Sequence, residues 1–327
     1  MKAGYVNVGR LATSLLFAGA FVLGIGLAAQ KSVGLPQSSR PSLRLSPEEL
    51  EIYEHARTVV DLTPRQIKSV PFLRKLQLAK NQDELPVILV RTGKTATELF
   101  YNMPKIACDE SVASETNMDN PLASWGGMGR NRVFRHFRYI VIPKMVGDIM
   151  TFDEYRTDAE GKPLDSKSMA GLKMITSNFS SNWTYFNPSE QNDSRFRYLG
   201  TESFHKHDCY VVGFAQKPGV ARNVSGFQLK DEAATLLNQG IVWIDQQTFE
   251  VLEIRTWLLA PRKDIGLEYE GTTVDYSPVQ PAGAEKTLWL PHEVVVTIVY
   301  RRAYFRNTHR YSNFKLFRVE STIKPTE

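Results

Sequence analysis

The chain predicts an α+β fold, because helix signals come first and strand signals follow. Capping motifs and apolar spacings of three and four residues occupy residues 46–104, which we expect to form an N-terminal helical segment. From Lys105 onward the apolar period changes to that of strands, in segments rich in Val, Ile, Tyr, Phe and Thr. Consecutive strands with short connections form an antiparallel meander, so residues 105–324 are expected to be one antiparallel sheet domain, on which the helices pack.

Each predicted helix has its own start signal or spacing. Ser46–Glu49 (SPEE) and Thr63–Gln66 (TPRQ) are capping boxes with Pro at the first helical position. The first box predicts a helix to about Val59, and Pro71 limits the second helix. Between Asp83 and Met103, apolar residues recur at helical spacing, which predicts an amphipathic helix of about five turns.

Turn residues separate the predicted strands, and two long segments interrupt them. The first is an apolar lid insertion at residues 166–188, and the second, Pro218–Gln239, contains a short helix candidate at Leu229–Asn238. Arg301–Asn307 is expected to be a hairpin end. The predicted strands are Arg132–Ile142, Val146–Thr157, Arg195–Ser203, Asp208–Lys217, Gly240–Asp245, Glu250–Ala260, Leu267–Ser277, His292–Tyr304 and Arg310–Ile323.

The first 29 residues carry the features of an export signal. Lys2 and Arg10 precede Leu11–Ala29, nineteen residues without a charge, and Gly26–Ala28 offers small residues at the spacing that signal peptidase prefers. Residues 1–29 are interpreted as a cleaved signal peptide, with an uncleaved membrane anchor as the alternative. In both cases the body is exported, which predicts a periplasmic or cell-envelope location. Residues 30–45 follow as a linker.

Several strands are apolar on both faces, notably residues 208–215 and 292–300. An antiparallel sheet normally leaves one face solvated, so these strands need a second cover. Either the sheet curls on itself and the lid insertion closes it, or it encloses an apolar cavity that takes a hydrophobic ligand. For the aromatic strand residues, the alternative is an ordinary core. The candidate ligand or lid residues are Met169, Leu172, Met174, Phe179, Trp183, Tyr210, Phe214, Trp243, Trp257, Val296 and Ile298.

Charge and motifs exclude several function classes. The net charge is +5 without a long basic run, so no nucleic-acid partner is expected. The chain has no Gly-x-Ser-x-Gly elbow and no catalytic cysteine signature, so we expect no catalytic residue, no cofactor and no enzymatic activity. The carboxylate pairs Asp153/Glu154 and Glu268/Glu270 are interpreted as exposed strand charges rather than acid–base groups.

The best metal candidate is weak. His205, His207 and Cys209 alternate along a strand, so they would share one face, as zinc ligands can. The preferred interpretation is a polar hairpin end, because no second ligand pair with recognisable spacing exists. A further ligand could come from His136, His292 or His309.

The two cysteines leave two alternatives open. Cys108 and Cys209 could form a disulfide in an oxidising compartment. Their apolar neighbours fit two buried thiols equally well.

The hairpin segment Gly240–Arg255 carries the most informative pattern. Asp245 and Thr248 bracket its turn, and Glu253 and Arg255 share a face that we expect to be solvated.

Together with the C-terminal segment Arg310–Glu320, Gly240–Arg255 resembles exported bacterial proteins of unknown function allied to the outer-membrane lipoprotein-sorting carriers (LolA-like). The shared patterns are the V-W-I-D-P-x-T-x-x-V-x-R strand pair and the closing Y-S-x-F strand. Phe137–Pro163 and Phe196–Gly200 look like a larger branch of secreted bacterial proteins, for which the resemblance covers most of Glu84–Glu320.

This resemblance implies a strongly curved antiparallel half-barrel whose concave apolar face is closed by helices and, in the carriers, holds acyl chains. Two positions depart from the pattern. Gln246 stands where Pro is usual, and Phe249 stands where a turn Gly is common. The fold therefore transfers better than the activity, since fold alone does not determine function.

Three functions remain open at this point. The first is a non-enzymatic envelope protein that binds lipid, acyl chains or a lipidated partner in the concave face, with Met169–Phe186 as the gate and at least transient membrane association. The second is a structural or sensor module of the envelope with a filled core, which binds another envelope protein. The third is a metal-dependent enzyme centred on His205 and His207.

Overall fold

The computed structural model describes residues 20–22, 45–117, 131–146, 149–164, 169, 172, 175–176, 181–221, 225–228 and 233–317. Of the predicted leader, only residues 20–22 are among them, and of the predicted linker only Leu45. Within these ranges no helix is both long enough and apolar enough to cross a membrane.

The helices begin where the capping boxes predict. They are α1 (Pro47–Glu54), α2 (Pro64–Ser69) and α3 (Leu85–Asn102). Ser46 and Thr63 each accept a hydrogen bond from the backbone N–H three residues on, which confirms both boxes. α1 is shorter than expected, because Val59 begins a separate 3₁₀ turn whose backbone N–H donates to Gln239 Oε1 at 2.7 Å. The Val59 N–H thus bonds a distant side chain rather than a carbonyl of α1.

The remaining described elements, apart from short 3₁₀ turns, are strands. They are β1 (Ala20–Val22), β2 (Gln77–Leu78), β3 (Ile106–Thr116), β4 (Asn131–Val146), β5 (Ile149–Thr157), β6 (Ile175–Thr176), β7 (Ser194–Phe204), β8 (His207–Gln216), β9 (Ser225–Gln228), β10 (Ala233–Leu236), β11 (Asn238–Asp245), β12 (Val251–Leu258), β13 (Leu267–Val279), β14 (Leu288–Tyr300) and β15 (Ala303–Leu316).

Eleven of the described strands form one antiparallel sheet, in the order β2-β7-β8-β11-β12-β13-β14-β15-β3-β4-β5. The last strand, β15, returns to pair with β3, so two segments distant in sequence meet in the middle of the sheet. β2 and β5 lie at its two edges, and the sheet is open and curved. The expected α+β fold with a curved antiparallel sheet is therefore confirmed.

The two faces of the sheet are covered by different parts of the chain. α3 packs on one face, called here the concave face, where Ile88 shares a core with Val242. α2 packs on the opposite, convex face, where Ile67 shares a core with Ile241. The neighbours Ile241 and Val242 point to opposite faces because strand side chains alternate. The N-terminal helices are thus divided between the two faces.

A smaller sheet lies over part of the concave face. Its four described strands follow the order β10-β9-β1-β6, and we call it the cover sheet. Phe227 of β9 and Leu236 of β10 pack on Val296 and Ile298 of β14. β1, which falls within the predicted leader, pairs with both β9 and β6.

Three details of the predicted topology are wrong or incomplete. Of the helix expected at Leu229–Asn238, residues 229–232 lie outside the described part, and the rest is strand β10 followed by the start of β11, because Ala233–Leu236 finds a backbone partner in β9. Strand β3 was not predicted. The last hairpin turns at Arg301 and Arg302, both in the left-handed region with φ of 47° and 65°, so β14 ends earlier than expected.

The cysteines do not form a disulfide. Cys108 and Cys209 are free and buried, in two separate cores. Burial raises the pKa of both thiols, that of Cys209 to about 12. Of the two alternatives, the structure shows the buried thiols.

Candidate functional site

The candidate site is the part of the concave face that lies beneath the cover sheet. Val296 and Ile298 line it and are 2% and 0% exposed. They pack with Phe305 of β15, and the cover sheet supplies Phe227 and Leu236 from the other side. This apolar surface, formed by Val296, Ile298 and Phe305, is called the wall below. It contains two of the residues that the sequence proposed as ligand contacts.

One carboxylic acid is buried next to the wall. Glu270 of β13 is the direct cross-strand partner of Ile298, so both side chains point to the same face. Glu270 is 5% exposed, and its Oε2 has no hydrogen-bond partner among the described residues. Burial raises the pKa of this carboxyl to about 8. Glu270 is therefore mostly a neutral acid at pH 7 and can donate a hydrogen bond.

The burial of Glu270 corrects the expectation that Glu268 and Glu270 are both exposed charges. The register of β13 shifts between Leu267 and Tyr269, which breaks the simple alternation of faces. Glu268 is exposed, whereas Glu270 points into the core. The pair Asp153/Glu154 also differs from the expectation, because Glu154 accepts a hydrogen bond of 2.5 Å from the Tyr139 hydroxyl.

Aromatic rings from the end of the lid insertion pack on the concave face beside Phe214. Tyr185 and Phe186 lie in a 3₁₀ segment, and their rings approach Phe214 of β8 at 4.7 and 6.1 Å. Phe214 lies over Gly240, where a β-carbon would come within 2.7 Å of the ring. Burial and the nearby Glu270 raise the pKa of Tyr185 to about 12.

The rest of the predicted lid is described only in part. Met169 and Leu172 are half-buried, and a turn joins them through a backbone hydrogen bond of 3.1 Å. Trp183 lies in the 3₁₀ segment Ser181–Phe186, but its side chain is outside the described part. Met174 and Phe179 lie outside the described residues. Their proposed contact with a ligand stays a prediction.

Tyr210 lies farther along the same face, near the turn of the β11–β12 hairpin. Its ring is 5.8 Å from that of Phe249, and Arg91 of α3 stacks on Phe249 at 3.9 Å. Phe249 has a φ of 61°, the left-handed conformation usually taken by Gly. Asp245 Oδ1 accepts from the backbone N–H of Thr248 at 2.7 Å, which shows the turn chemistry expected from the sequence.

Trp243 and Trp257 are not brought together with these residues. Trp243 packs on the convex face, stacked on Phe204 at 5.2 Å and close to Phe72. Trp257 is half-buried and packs against the same convex core. The alternation of the strands therefore separates both tryptophans from Val296 and Ile298.

A buried ion network lies at the other end of the concave face. Glu110 of β3 accepts two hydrogen bonds from Arg156 of β5, at 2.6 and 2.8 Å, and lies 2.8 Å from His309 Nδ1 of β15. Burial acts to raise the pKa of Glu110, but Arg156 and His309 outweigh it and lower the pKa to about 2. Sequence reasoning missed this network, although Glu110 alternates with Cys108 and Val112 as an inward-facing residue would.

The proposed histidine pair separates in the structure. His207 Nδ1 lies 2.7 Å from Asp245 Oδ2. His205 belongs to a different cluster, in which its ligand atom and those of Glu253 and Asp275 all lie within 4.8 Å of one another. Glu253 is only 6% exposed, so the charged face of the β11–β12 hairpin is not the solvated face that the sequence led us to expect.

A separate open pocket of about 640 Å³ lies near the β14–β15 turn. It lies apart from the wall. The lining residues are Pro261, Lys263, Gly266, Glu268, Arg301 and Arg302.

The fold and the site define a class of protein, a covered open antiparallel sheet with a buried apolar wall. No family model matches the chain, and no curated protein matches it. Among solved structures, the chain is similar to a DUF1329 family protein from Desulfovibrio piger, with 14% identity and a TM-score of 0.35, over 70% of this chain and 90% of that one.

Two further solved structures are similar in the same way. A domain described as an outer-membrane lipoprotein-sorting protein, from Vibrio parahaemolyticus, has 12% identity and a TM-score of 0.37, over 68% of this chain and 90% of its own. A LolA superfamily protein from Nitrosomonas europaea has 12% identity and a TM-score of 0.32, over 70% and 93%. The protein types named by the sequence resemblance are thus among the similar structures. At these TM-scores the similarity carries no functional inference, so the site's own residues must supply it.

Proposed function

We propose that this protein binds the acyl chain of a lipid or of a lipidated partner between the wall and the cover sheet, as a non-enzymatic protein of the cell envelope. The observation that carries the proposal is Glu270, a buried acid beside the wall with a carboxyl oxygen that no described residue satisfies. A buried polar group without a partner is costly, and a ligand oxygen would remove that cost.

The chemistry of the site selects an amphiphile. At pH 7 Glu270 is mostly protonated, because its pKa is raised to about 8. Its O–H can donate to a carbonyl, ester or carboxylate oxygen, while the chain of the ligand lies along Val296 and Ile298. Each methylene removed from water would stabilise the complex by about 0.8 kcal/mol. Binding therefore needs no catalytic group.

The cover sheet is the element that we expect to open for the ligand. Its strands β9 and β10 are short, four residues each, and cleavage of the predicted leader would remove β1, the strand that joins β9 to β6. Short strands with few partners open at low free-energy cost compared with a long sheet. The half-buried Met169 and Leu172 belong to the segment that precedes β6, and would move with it.

Export by the predicted leader would bring this site to the envelope, where lipids and lipidated proteins are available. Transient membrane association follows from the same proposal, since a carrier has to exchange its ligand with a bilayer.

A matched pair of variants on one strand tests the proposal. Val296→Thr places a hydroxyl in the wall, whereas Val295→Thr makes the same change on the convex face, where Val295 pairs with Thr273 and Thr308. We expect delipidated wild-type protein and Val295→Thr to bind a dansyl-labelled long-chain fatty acid equally. Val296→Thr should bind it about tenfold more weakly, because the hydroxyl must be desolvated.

Thermal melts and near-ultraviolet circular dichroism would confirm that both variants are folded. Mass spectrometry of an organic extract of the purified protein gives a second measurement, in which a co-purified lipid supports the proposal. Equal binding by the two variants, or no binding by the wild type, would refute it.

The second candidate function is an interaction module with a filled core. It is favoured by one observation, that Phe227 and Leu236 already cover Val296 and Ile298. Absence of both fatty-acid binding and extracted lipid would select this function instead.

A further inference from the structure

Three potential metal ligands converge on the convex face, away from the candidate lipid site. Glu253 of β12 and Asp275 of β13 are direct cross-strand partners, so their side chains lie side by side. His205 reaches them from the β7–β8 turn. One ligand atom from each of the three residues lies within 4.8 Å of the other two.

The backbone of the turn holds His205 in an unusual conformation. His205 and Lys206 have φ of 50° and 71°, a left-handed pair that Asn and Gly normally supply in such hairpins. The ring of His205 also lies 4.2 Å from that of Phe204, which is itself stacked on Trp243. The imidazole is therefore placed by the turn and by an aromatic stack.

The two carboxylates carry the same charge when both are ionised. Like charges that face each other directly across neighbouring strands destabilise a sheet. Burial raises the pKa of Glu253 and of Asp275; Arg255 is the main opposing influence at Glu253, and His205 is the main one at Asp275. A cation between the two carboxylates would remove this repulsion.

Glu253 is already oriented for such a role. Arg255 Nε donates to Glu253 Oε1 at 2.5 Å, and its guanidinium lies over the rings of Phe72 and Trp243 at 4.5 and 5.1 Å. An outer residue that fixes a carboxylate in this way is typical of the surroundings of metal ligands.

We propose that His205, Glu253 and Asp275 bind a divalent transition-metal ion, with Zn²⁺ as the best match. One imidazole and two carboxylates form a mixed nitrogen and oxygen set, which suits Zn²⁺ better than Mg²⁺ or Ca²⁺, whose ligands are oxygens. The ion would tie the β7–β8 turn to β12 and β13.

The two histidines of the turn region provide a matched test. His205→Gln removes a proposed ligand, whereas His207→Gln removes a neighbouring histidine that contacts Asp245 instead. Titration calorimetry of tag-free protein with Zn²⁺ should show one ion per chain for the wild type and for His207→Gln. His205→Gln and Asp275→Asn should each weaken binding by about a hundredfold.

A thermal melt with and without Zn²⁺ gives the second measurement, because an ion that binds only the folded state raises Tm. Zn²⁺ should raise Tm for the wild type and for His207→Gln, but not for Asp275→Asn. Mg²⁺ should have no effect on any of them. The proposal is overturned if the wild type binds no Zn²⁺, or if His207→Gln loses binding as fully as His205→Gln. Neither result bears on the lipid site, which lies on the other face.

Discussion

The buried acid Glu270 makes a sharp prediction about stability and pH. Replacing it by Gln keeps the size and shape of the side chain but removes its titration. The folded pKa is about 8, compared with 4.5 for an unperturbed Glu. Between these two values the folded state holds a proton that the unfolded state has lost. The free energy of unfolding therefore falls as pH rises through this window, and the fall ends near the folded pKa.

The magnitude follows from the width of the window that an experiment can cover. From pH 6 to the folded pKa there are two pH units, and each is worth about 1.4 kcal/mol. The free energy of unfolding of the wild type should therefore fall by about 3 kcal/mol between pH 6 and pH 9 through this one group. Burial also raises the pKa of Glu250, to about 7, so its titration lowers the free energy of unfolding over part of the same pH range. Its effect cancels in a comparison of wild type with Glu270→Gln.

Urea unfolding of both proteins at the two pH values measures the difference directly. We expect Glu270→Gln to become more stable relative to wild type by about 3 kcal/mol as pH rises from 6 to 9. Glu268→Gln, two residues away and exposed, is the control and should show the pH dependence of the wild type. A constant difference between Glu270→Gln and wild type at both pH values would show that Glu270 is not a buried acid.

Three further changes probe the sheet itself. Glu110→Gln should lower the free energy of urea unfolding by about 3–5 kcal/mol, since it leaves the buried cation Arg156 without its partner. The control Glu293→Gln breaks an exposed ion pair and should lower it by less than about 1 kcal/mol. Similar losses in the two variants would contradict the burial of the network. The double variant Arg301→Asn, Arg302→Gly should stabilise the folded protein by about 1–2 kcal/mol and so raise Tm, because both positions are left-handed and Asn and Gly adopt this conformation with less strain. A lower Tm would mean that the arginine side chains stabilise the turn. Gly240→Ala should destabilise the folded protein by about 1–3 kcal/mol in calorimetry, because its β-carbon would lie 2.4 Å from the Arg255 carbonyl oxygen. An unchanged Tm would show that the backbone relieves this contact at no cost.

Local signals in the sequence predicted the elements that depend on local chemistry. The capping box at Ser46 and the turn at Asp245 are formed by side chains that bond backbone groups two or three residues away, so the pattern and the structure contain the same information. The helix α3 was also predicted, because its apolar stripe repeats at helical spacing over five turns.

Positions that depend on distant partners were not predicted. Ala233–Leu236 has the composition of a helix, but becomes a strand because β9 offers it backbone partners. Glu270 is buried because a register shift in β13 turns it away from exposed Glu268, and sequence spacing alone does not reveal such a shift. The face on which Trp243 lies depends on which helix covers which side, a choice made by tertiary packing.

The unequal covering of the sheet has a consequence for its dynamics. Every residue of β11 is buried, because α3 packs on one of its faces and α2 packs on the other. β4 is buried only in part, and Phe134 on its convex side is largely exposed. Amide hydrogen exchange should therefore be slowest in β11 and markedly faster in β4 and β5, where local opening breaks fewer apolar contacts. The sheet would then be rigid around β11 and more mobile at β4 and β5, with the wall between them.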